Sequence, residues 1–503
     1  MTDSSDRNPQ TRTLRPSESW FVSLPDTLQQ SLLTIPPSEN YFIAYSGGLD
    51  SSLLLVLAAR YLVGVRRATL TAIHVHHGLS DYADDWQAHC EKFCHRLGVS
   101  LIVRRVELKD KKKGVEDAAR VARYKIFEDV LPSGGVLLQG HHMNDQAETV
   151  LLRLMRGAGP KGVAGIPQAR ALNQSLIFRP FLSVLRSELY SVANTLSIEW
   201  VEDDSNLSRD YDRNFIRHDV IPELEKRWQG AVRRLAVSAN HCRESAELED
   251  ELAKIDLQAI AQEGFGPALS IEGLLQLSQA RQRNAVRYWL RSLGVGFPGE
   301  KRFQRIWSEL LVAREDASPL IEWSLGAVRR YQNALYVQTI EELTLATCFD
   351  SAEVSIPYHS NCLSREDESN IDVLFESTIM GRQYSLSVIK SLHANAISKG
   401  VSLPGVISEI EIALPAKHER MTIKFRQGGE QIKAVGKAHH RPIKKYFNDH
   451  SVPPWLRDSV PLLYYNECLV AIGDLLVSDG FQGDHGSANL EISWSQMSNH
   501  NQL

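Results

Sequence analysis

Short apolar runs alternate with longer amphipathic segments from position 41 to position 155, and this alternation restricts the chain to few folds. The runs predict strands at 41–45, 70–75, 101–106 and 136–139, and the amphipathic segments predict helices at 51–61, 84–97, 115–130 and 145–155. Strands that alternate with helices form a parallel sheet with helices on both faces. We therefore predict an α/β fold with a doubly wound, mostly parallel, Rossmann-like sheet. Such sheets bind ligands at the carboxyl ends of their strands.

The remaining residues do not continue the alternation, and they divide the chain into further regions. At roughly 150 residues per domain, 503 residues suggest about three domains. Apolar positions at helical spacing after residue 228 predict a mainly helical domain, which a strand at 328–337 closes. The predicted regions are an irregular N-terminal extension (1–38), the α/β domain (39–228), the mainly helical domain (229–345), a linker or extra strands (346–412), a small α+β domain (413–482) and a polar tail (483–503).

The composition excludes several classes of protein. The longest strongly apolar stretch, 51–59, is too short to cross a bilayer, so we expect no membrane partner. The first 38 residues contain no apolar core of a secretory signal, which predicts a cytoplasmic protein. Six cysteines are too few for a disulfide framework at this length. Because no CxxC pair occurs, zinc ribbons, iron–sulfur clusters and thioredoxin-type chemistry are also disfavoured.

A net charge of −5 conceals a basic segment near the carboxyl end of the chain. Residues 417–457 contain ten lysines and arginines but only three acidic residues. Clustered positive charge is the signature of a nucleic-acid-binding surface, and we predict that Lys444, Lys445 and Arg457 contact RNA. Two interpretations remain open for three aromatic residues of this segment, which fit either RNA contact or the core of the small domain. They are Tyr446, Phe447 and Trp455.

A glycine-rich loop follows the first predicted strand and opens the next helix. Its residues are Ser46, Gly47, Gly48, Leu49, Asp50 and Ser51. Paired glycines let the backbone turn sharply and approach a ligand closely, and a helix N-terminus attracts anions. The two serines add hydroxyl donors, and Asp50 could hold Mg²⁺ beside a polyphosphate. The alternative is an ordinary strand–turn–helix connection in which a serine or aspartate caps the helix and no ligand binds.

Three further segments carry charged side chains that suit a substrate or a phosphate. The sequence from Gly140 to Thr149 follows the fourth predicted strand, and its Asp145 and Glu148 share one helix face, where they suit an amine-bearing substrate. Asp145 could instead only cap its helix. Arg120 could bind phosphate with its planar guanidinium or form a solvated pair with the glutamate four residues before it. Arginine and lysine side chains around residues 153–162 fit contact with an RNA backbone or a solvated connector; they are Arg153, Arg156 and Lys161.

In order along the chain, these motifs resemble the tRNA(Ile)-lysidine synthetase family of PP-loop ATPases, the N-type ATP pyrophosphatases. The family's SGGxDS loop, HHG segment, EDAARxxRY helix, GHHxNDQAET helix, RGaGxxG loop, DxSN turn and RNxIRH segment are all present within residues 40–222. The basic run from Pro442 to Leu462 is similar to that family's small C-terminal domain. Individually most of these motifs are weak signals, but the ordered set is specific.

The resemblance implies an activity and assigns roles to residues. ATP and Mg²⁺ would bind at residues 46–51, and the wobble cytidine of an isoleucine tRNA with a CAU anticodon would be adenylated at O2. The ε-amine of L-lysine would then displace AMP at C2 and leave lysidine. Arg120 and His141 would contact ATP, while Asp145, Glu148 and Arg213 would hold lysine, with Asp145 as the general base. The resemblance leaves open whether the protein is a monomer or a homodimer.

Two other interpretations compete with this one. Another PP-loop enzyme, such as a tRNA thiolase or an amidating synthetase, would share the loop, but a thiolase needs reactive cysteines and an amidating enzyme needs a source of ammonia. A non-catalytic RNA-binding module on the same fold is the second. The presence of Asp50, Asp145 and Glu148 argues against the second interpretation.

Overall fold

The computed structural model describes residues 19–78, 82–106, 115–202, 209, 211–262, 266–314, 317–340, 343, 353–356, 371–379, 382–390, 412–416, 419–483 and 488–496. The chain divides into two compact units, Met1–Leu248 and Glu249–Leu503. No helix in the described residues is long and apolar enough to cross a membrane.

The first unit is built around a six-stranded sheet. Its strands are β1 (Asn40–Ala44), β2 (Thr69–His76), β3 (Ser100–Arg105), β4 (Val136–Leu138), β5 (Ala169–Leu172) and β6 (Ser175–Phe178). Their order across the sheet is β3-β2-β1-β4-β6-β5, and every pairing is parallel except β5 with β6. This arrangement confirms the predicted mostly parallel, doubly wound sheet. The strand order reverses between β1 and β4, which is where sheets of this type bind ligands.

Helices follow the strands and cover both faces of this sheet. They are α1 (Ser19–Val22), α2 (Asp26–Leu33), α3 (Leu49–Ala58), α4 (Ala83–Leu97), α5 (Val115–Val130), α6 (Met143–Met155), α7 (Pro160–Val163), α8 (Arg186–Thr195), α9 (Asp212–Phe215), α10 (Ile221–Arg227) and α11 (Ala231–Ile260). Strand β1 shows why both faces are closed. Tyr41 and Ile43 pack into one apolar cluster with α3, whereas Phe42 points to the other face and packs against Phe127 of α5.

The structure differs from the prediction at the start of the chain. Residues 19–38 are not an irregular extension, because α1 and α2 bury Phe21, Leu28 and Leu32 in the main core of the first unit. The leucines at 24, 28 and 32 recur every four residues, which is helical spacing. The many polar residues around them concealed this signal. The compact domain therefore begins before the predicted boundary at residue 39.

The second unit contains more strand than the prediction allowed. After α12 (Ile271–Gln276), α13 (Gln279–Ser292) and α14 (Glu300–Arg305), the chain completes an antiparallel sheet ordered β7-β8-β11-β10-β9. Its strands are β7 (Ala261–Gln262), β8 (Ala268–Ser270), β9 (Leu320–Trp323), β10 (Gly326–Tyr331) and β11 (Ala334–Thr339). The single strand predicted at 328–337 is wrong, because Gln332 adopts a positive φ and turns the chain into a hairpin.

The last part of the second unit is the predicted small α+β domain, with wider boundaries. Its strands and helix are β12 (Glu353–Ile356), β13 (Ile371–Ile379), β14 (Arg382–Lys390), β15 (Ile412–Ala413), β16 (Met421–Lys424), β17 (Gln431–Ile432), β18 (Arg441–Pro442), α15 (Ile443–Asp449), β19 (Leu462–Tyr465), β20 (Cys468–Ile472), β21 (Leu476–Val477) and β22 (Ala488–Gln496). Strand β12 pairs with β16, and β22 pairs with β14. For the stretch predicted as a linker or extra strands, the structure shows strands, and the predicted polar tail also contributes one, β22.

Candidate active site

The glycine-rich loop lies between β1 and α3, at the point where the strand order reverses. Ser46 and Ser51 hydroxyl oxygens lie 3.0 Å apart, and the Ser51 hydroxyl donates to the Gly48 carbonyl at 3.0 Å. Gly48 is the N-cap residue of α3, and no side chain caps the helix. The amide groups of the first helical turn therefore have no side-chain acceptor. This disfavours an ordinary serine or aspartate cap and favours an anion site.

Two glycines in this region cannot be replaced without displacing neighbours. Gly47 has a φ of +85°, and a Cβ atom there would lie 3.0 Å from the Cys90 sulfur. A Cβ atom on Gly140, just after β4, would lie 3.1 Å from the Asp50 carbonyl carbon and oxygen. The end of β4 thus packs directly against the first turn of α3. This contact brings the segment 140–148 beside the loop.

His142 connects the loop to helix α6. Its Nε2 atom lies 3.6 Å from Oδ2 of Asp50, and its Nδ1 atom accepts a hydrogen bond from the Asp145 amide at 3.3 Å. Oδ2 of Asp145 accepts a hydrogen bond from the His142 amide at 3.0 Å, so the two residues form a capping box. Asp145 therefore does cap its helix. Its other carboxylate oxygen remains available for charged partners.

Those partners are two arginines from the segment that follows residue 211. Arg213 donates to Oδ1 of Asp145 at 2.8 Å and to Oε2 of Glu148 at 2.7 Å. Arg217 donates to Oε1 of Glu148 at 2.6 Å, to its Oε2 at 3.0 Å and to Oδ1 of Asp145 at 3.3 Å. Both carboxylates are almost fully buried, while each guanidinium keeps more than a fifth of its surface exposed. We call these four residues the carboxylate–arginine cluster.

Burial and neighbouring charges shift the pKa values of the titratable groups in this site in different directions. Burial opposes the charge of Asp145, but His142 and Arg213 outweigh burial and hold the pKa of Asp145 far below its usual range. Burial also opposes protonation of His142, yet Asp145 and Asp50 raise the pKa of His142 above 6.5. His141 behaves oppositely, because burial lowers its pKa to about 4. Adjacent histidines whose pKa values are shifted in opposite directions are typical of a functional site.

We expect the two histidines to titrate on opposite sides of 6.5. His142 should become cationic at higher pH than a free histidine, because the carboxylates of Asp145 and Asp50 face its ring. Protonation of Nδ1 then gives up the hydrogen bond from the Asp145 amide. His141 should be neutral above about 4. Titration of the histidine ring resonances by NMR, assigned with His141→Gln and His142→Gln, measures both midpoints. A His142 midpoint below 6.5 would mean that burial outweighs the two carboxylates.

The structure brings together several residues that the sequence analysis singled out. Asp50, Asp145, Glu148 and Arg213 lie in one connected region, with His142 between Asp50 and Asp145. His141 lies next to His142 in the chain, and its Nδ1 atom accepts a hydrogen bond from Nε of Arg179 at 3.3 Å. The Arg120 side chain is exposed and lies over the ring of Tyr124.

The predicted RNA-contacting residues have different surroundings. Arg153 donates to the carbonyls of Gly162 and Gly165, so it holds the 157–165 loop together. Arg156 and Lys161 are exposed, and Arg156 lies 3.9 Å from Asp212. In the second unit Lys444 and Lys445 are exposed on α15, whereas Arg457 donates to the Val452 carbonyl. These three belong to the unit that does not contain the loop.

The open question about the three aromatic residues is answered for two of them. Tyr446 and Phe447 are buried in the core of the small domain. Trp455 is partly buried and makes edge contacts with Tyr331 and Tyr336 of the hairpin β10–β11. The core interpretation therefore holds for Tyr446 and Phe447.

Three residues of the site did not emerge from the sequence analysis in their observed roles. They are His142, Arg179 and Arg217. Arg217 lies in the RNxIRH segment and His142 in the GHHxNDQAET helix, but the sequence assigned neither of them a role. Residue preference would place the N-cap of α6 at Asn144 or Asp145, so no local signal indicated His142 for that position. Nothing local indicated that Arg179 would be buried and would contact both His141 and Tyr124.

The sheet is mostly parallel, and the uncapped glycine loop lies where its strand order reverses. These two features define a PP-loop nucleotide-binding domain. It differs from the GxxxxGK[ST] class because the loop has no lysine. Family models agree with this class and extend it. A PP-loop domain matches residues 24–224, a TilS substrate binding domain matches residues 269–336, and a TilS substrate C-terminal domain matches residues 421–494.

Curated relatives cover most of the chain. The tRNA(Ile)-lysidine synthase of Coxiella burnetii is 34% identical over 449 residues, which are 87% of this chain and 90% of that protein. The synthase of Edwardsiella ictaluri is 36% identical over 427 residues, or 85% of this chain and 88% of that protein. Among solved structures, a U34-tRNA thiolase from Methanococcus maripaludis covers 44% of this chain and 79% of its own, with 19% identity and a TM-score of 0.39. The chain belongs to the tRNA(Ile)-lysidine synthase family.

Proposed function

We propose that this chain uses ATP to attach L-lysine to C2 of the wobble cytidine in the CAU anticodon of an isoleucine tRNA, in the cytoplasm. The cytidine O2 attacks the α-phosphorus of ATP, and pyrophosphate leaves. The lysine ε-amine then forms the C2–N bond, and the C2–O bond breaks to release AMP. The product, lysidine, pairs with adenine in place of guanine.

The observation that carries this proposal is the carboxylate–arginine cluster beside an anion-binding loop. A PP-loop alone serves many reactions, but the second substrate must bind within reach of the activated base. Asp145 and Glu148 are buried carboxylates that connect through His142 to Asp50 of the loop. A group with one or two ammonium ions and a carboxylate, such as lysine, matches two carboxylates and two guanidiniums.

The loop residues fit a triphosphate and its magnesium ion. The uncapped amides of α3 and the hydroxyl of Ser46 supply donors for phosphate oxygens. The Ser51 hydroxyl donates to the Gly48 carbonyl and would have to turn away from it to add another donor. Oδ1 of Asp50 is buried and has no hydrogen-bond partner among the described residues, which suits a ligand to Mg²⁺. No group of three or more potential metal-ligating side chains occurs in the described part of the chain. A single carboxylate is nevertheless enough where phosphates supply the other ligands, and bound Mg²⁺ would neutralise phosphate charge.

Lysine binding would exchange partners within the carboxylate–arginine cluster. In the structure the two arginines already satisfy Asp145 and Glu148, so an ammonium group must replace a guanidinium there. Arg213 is the better candidate to leave, because it is the more exposed of the two and makes fewer hydrogen bonds to the carboxylates. Once released, its guanidinium could bind the lysine carboxylate in a bidentate manner.

This exchange of partners affects which group can accept the proton that the lysine ε-ammonium must lose before it reacts. Asp145 is a poor base while His142 and Arg213 hold its pKa so low. Departure of Arg213 would exchange its guanidinium for the lysine ε-ammonium, and loss of the ammonium proton to Asp145 would neutralise both groups. We therefore keep Asp145 as the proposed general base, but only in the complex with lysine.

The test is incorporation of labelled lysine into unmodified isoleucine tRNA bearing CAU, with Mg²⁺ and ATP, while AMP and pyrophosphate are counted. We expect one lysine, one AMP and one pyrophosphate per modified tRNA. Pyrophosphate release without lysine transfer would point to another nucleophile. Absence of ATP turnover by folded protein would favour the binding-module interpretation.

The small C-terminal domain is proposed to bind the tRNA through its exposed basic residues. Replacing both Lys444 and Lys445 with alanine should weaken tRNA binding and lower the dependence of log Kd on log salt concentration by about two. Filter binding across a range of salt concentrations measures both quantities. A matched control replaces the exposed Lys92 and Lys125 of the first unit. If both double variants bind tRNA with the same Kd and the same salt dependence, α15 does not contact the tRNA.

A further inference from the structure

Three arginines surround the side chain of Tyr124 in the first unit. The guanidinium carbon of Arg170 lies 4.7 Å from the centroid of the Tyr124 ring, and that of Arg120 lies 5.6 Å from it. Arg179 donates from Nη2 to the Tyr124 hydroxyl at 3.4 Å. We call Tyr124 and these arginines the tyrosine–arginine cluster. Only Arg120 of this cluster was predicted to bind a ligand.

The tyrosine–arginine cluster is continuous with the loop that binds phosphate. Arg120 and Tyr124 lie one turn apart on α5, Arg170 lies on β5, and Arg179 directly follows β6. Arg179 also donates to His141, and the preceding residue, Gly140, packs against the first turn of α3. The cluster therefore lies at the same edge of the sheet as the loop.

Positive charge accumulates in this cluster, which contains three arginines and no carboxylate of its own. Among residues whose side chains the structure describes, no acidic group lies within ion-pair distance of Arg120, Arg170 or Arg179. Arg179 is almost fully buried, and burial together with the charges of Arg170 and Arg120 lowers its pKa, although Tyr124 opposes this. Burial raises the pKa of Tyr124, yet the nearby guanidiniums lower it below 10. Like charges held this close are unfavourable unless an anion joins them.

A purely structural role accounts for part of this arrangement. An arginine over a tyrosine ring is a common surface contact and stabilises the fold weakly. Arg179 has such a role, because it also donates to the Pro167 carbonyl and ties the 167–179 hairpin to α5. Arg170 and Arg120 are different, because their side chains are exposed and have no protein anion to bind in the described residues. Packing therefore does not explain why Arg170 and Arg120 lie at the same edge of the sheet as the loop.

We propose that Arg170 is a phosphate-binding residue, which acts together with Arg120 over the ring of Tyr124. The proposal rests on the proposed function, since both substrates of that reaction carry phosphate. The phosphate belongs either to the triphosphate of ATP or to the RNA backbone near the target cytidine. A guanidinium stacked on a ring is pre-oriented, so its fork of donors faces a phosphate with little loss of freedom.

Equilibrium binding without turnover tests this assignment and does not depend on lysidine formation. The dissociation constants of Mg²⁺-ATP and of unmodified isoleucine tRNA are measured separately for the full chain, Arg170→Gln and Arg170→Lys. We expect Arg170→Gln to weaken the binding of one of the two ligands by roughly tenfold, because a charge-assisted hydrogen bond is lost. Arg170→Lys should recover part of that loss, because it keeps the charge but not the planar fork.

The two sources of phosphate give different results. Weaker ATP binding alone assigns Arg170 to the triphosphate. Weaker tRNA binding, with the salt slope lowered by about one, assigns it to the RNA backbone. Arg67→Gln is the matched control, because Arg67 is an exposed arginine just before β2, at the opposite edge of the same sheet. If Arg170→Gln and Arg67→Gln bind both ligands equally well, the proposal is wrong, even where Arg170→Gln lowers the melting temperature.

Discussion

Replacing Asp50 with asparagine is expected to reduce pyrophosphate release by roughly 10²–10³-fold while leaving tRNA binding unchanged. Asp50 is the only carboxylate of the glycine loop, and its Oδ1 atom has no hydrogen-bond partner among the described residues. Asparagine keeps the shape of the side chain but removes the charge that would hold Mg²⁺ and pair with His142. Because the change is nearly isosteric and the side chain is 31% exposed, the fold should persist.

The measurement is the initial rate of pyrophosphate release at saturating tRNA and ATP, with the Kd for tRNA measured on the same protein. A matched control is Asp85→Asn, which removes an exposed carboxylate from the first turn of α4. That control should keep the normal rate, since Asp85 lies on α4 and outside the glycine-rich loop. Normal turnover in Asp50→Asn, or a rate loss shared with Asp85→Asn, would remove Asp50 from the proposed magnesium site.

The second large effect is expected for Glu148→Gln, which should raise the apparent KM for lysine by roughly 10- to 100-fold. Glu148 is only 1% exposed and accepts three hydrogen bonds from Arg213 and Arg217. Glutamine has no charge and one acceptor oxygen, so it can bind neither the guanidiniums nor an ammonium group as well. The KM for ATP should change little, because Glu148 does not contact the loop residues in the structure.

Lysine-dependent AMP release at varied lysine concentration measures this effect, and thermal unfolding shows how far the fold is weakened. Glu188→Gln is the matched control, because Glu188 is another arginine-paired glutamate of the first unit and lies on α8. Equal KM values for lysine in the two variants would place lysine elsewhere. A rise in the KM for ATP as large as that for lysine would mean that Glu148 supports the whole site.

The sequence predicted the elements of the first unit well, because those signals are local. Each strand and helix from β1 to α6 lies within a few residues of its predicted position. The predictions failed where pairing joins distant segments. Strand β22 pairs with β14 across about a hundred residues, and β12 pairs with β16, so the stretch predicted as a linker or extra strands contributes to sheets. Strand β22 does alternate apolar and polar residues from 488 to 495, but a local alternation does not specify which distant strand pairs with it.

What the sequence alone determined is the class of chemistry. Paired glycines before a helix, and charged residues after two strands of a parallel sheet, define an anion site at one edge, because strand order and helix polarity follow from local patterns. Only the tertiary structure decided which groups meet. His142 contacts Asp50, whereas His141 contacts Arg179, since neighbouring side chains at a strand end point in different directions. Arg213 and Arg217 reach Asp145 and Glu148 across more than 60 residues of chain, and no local pattern specifies such a contact.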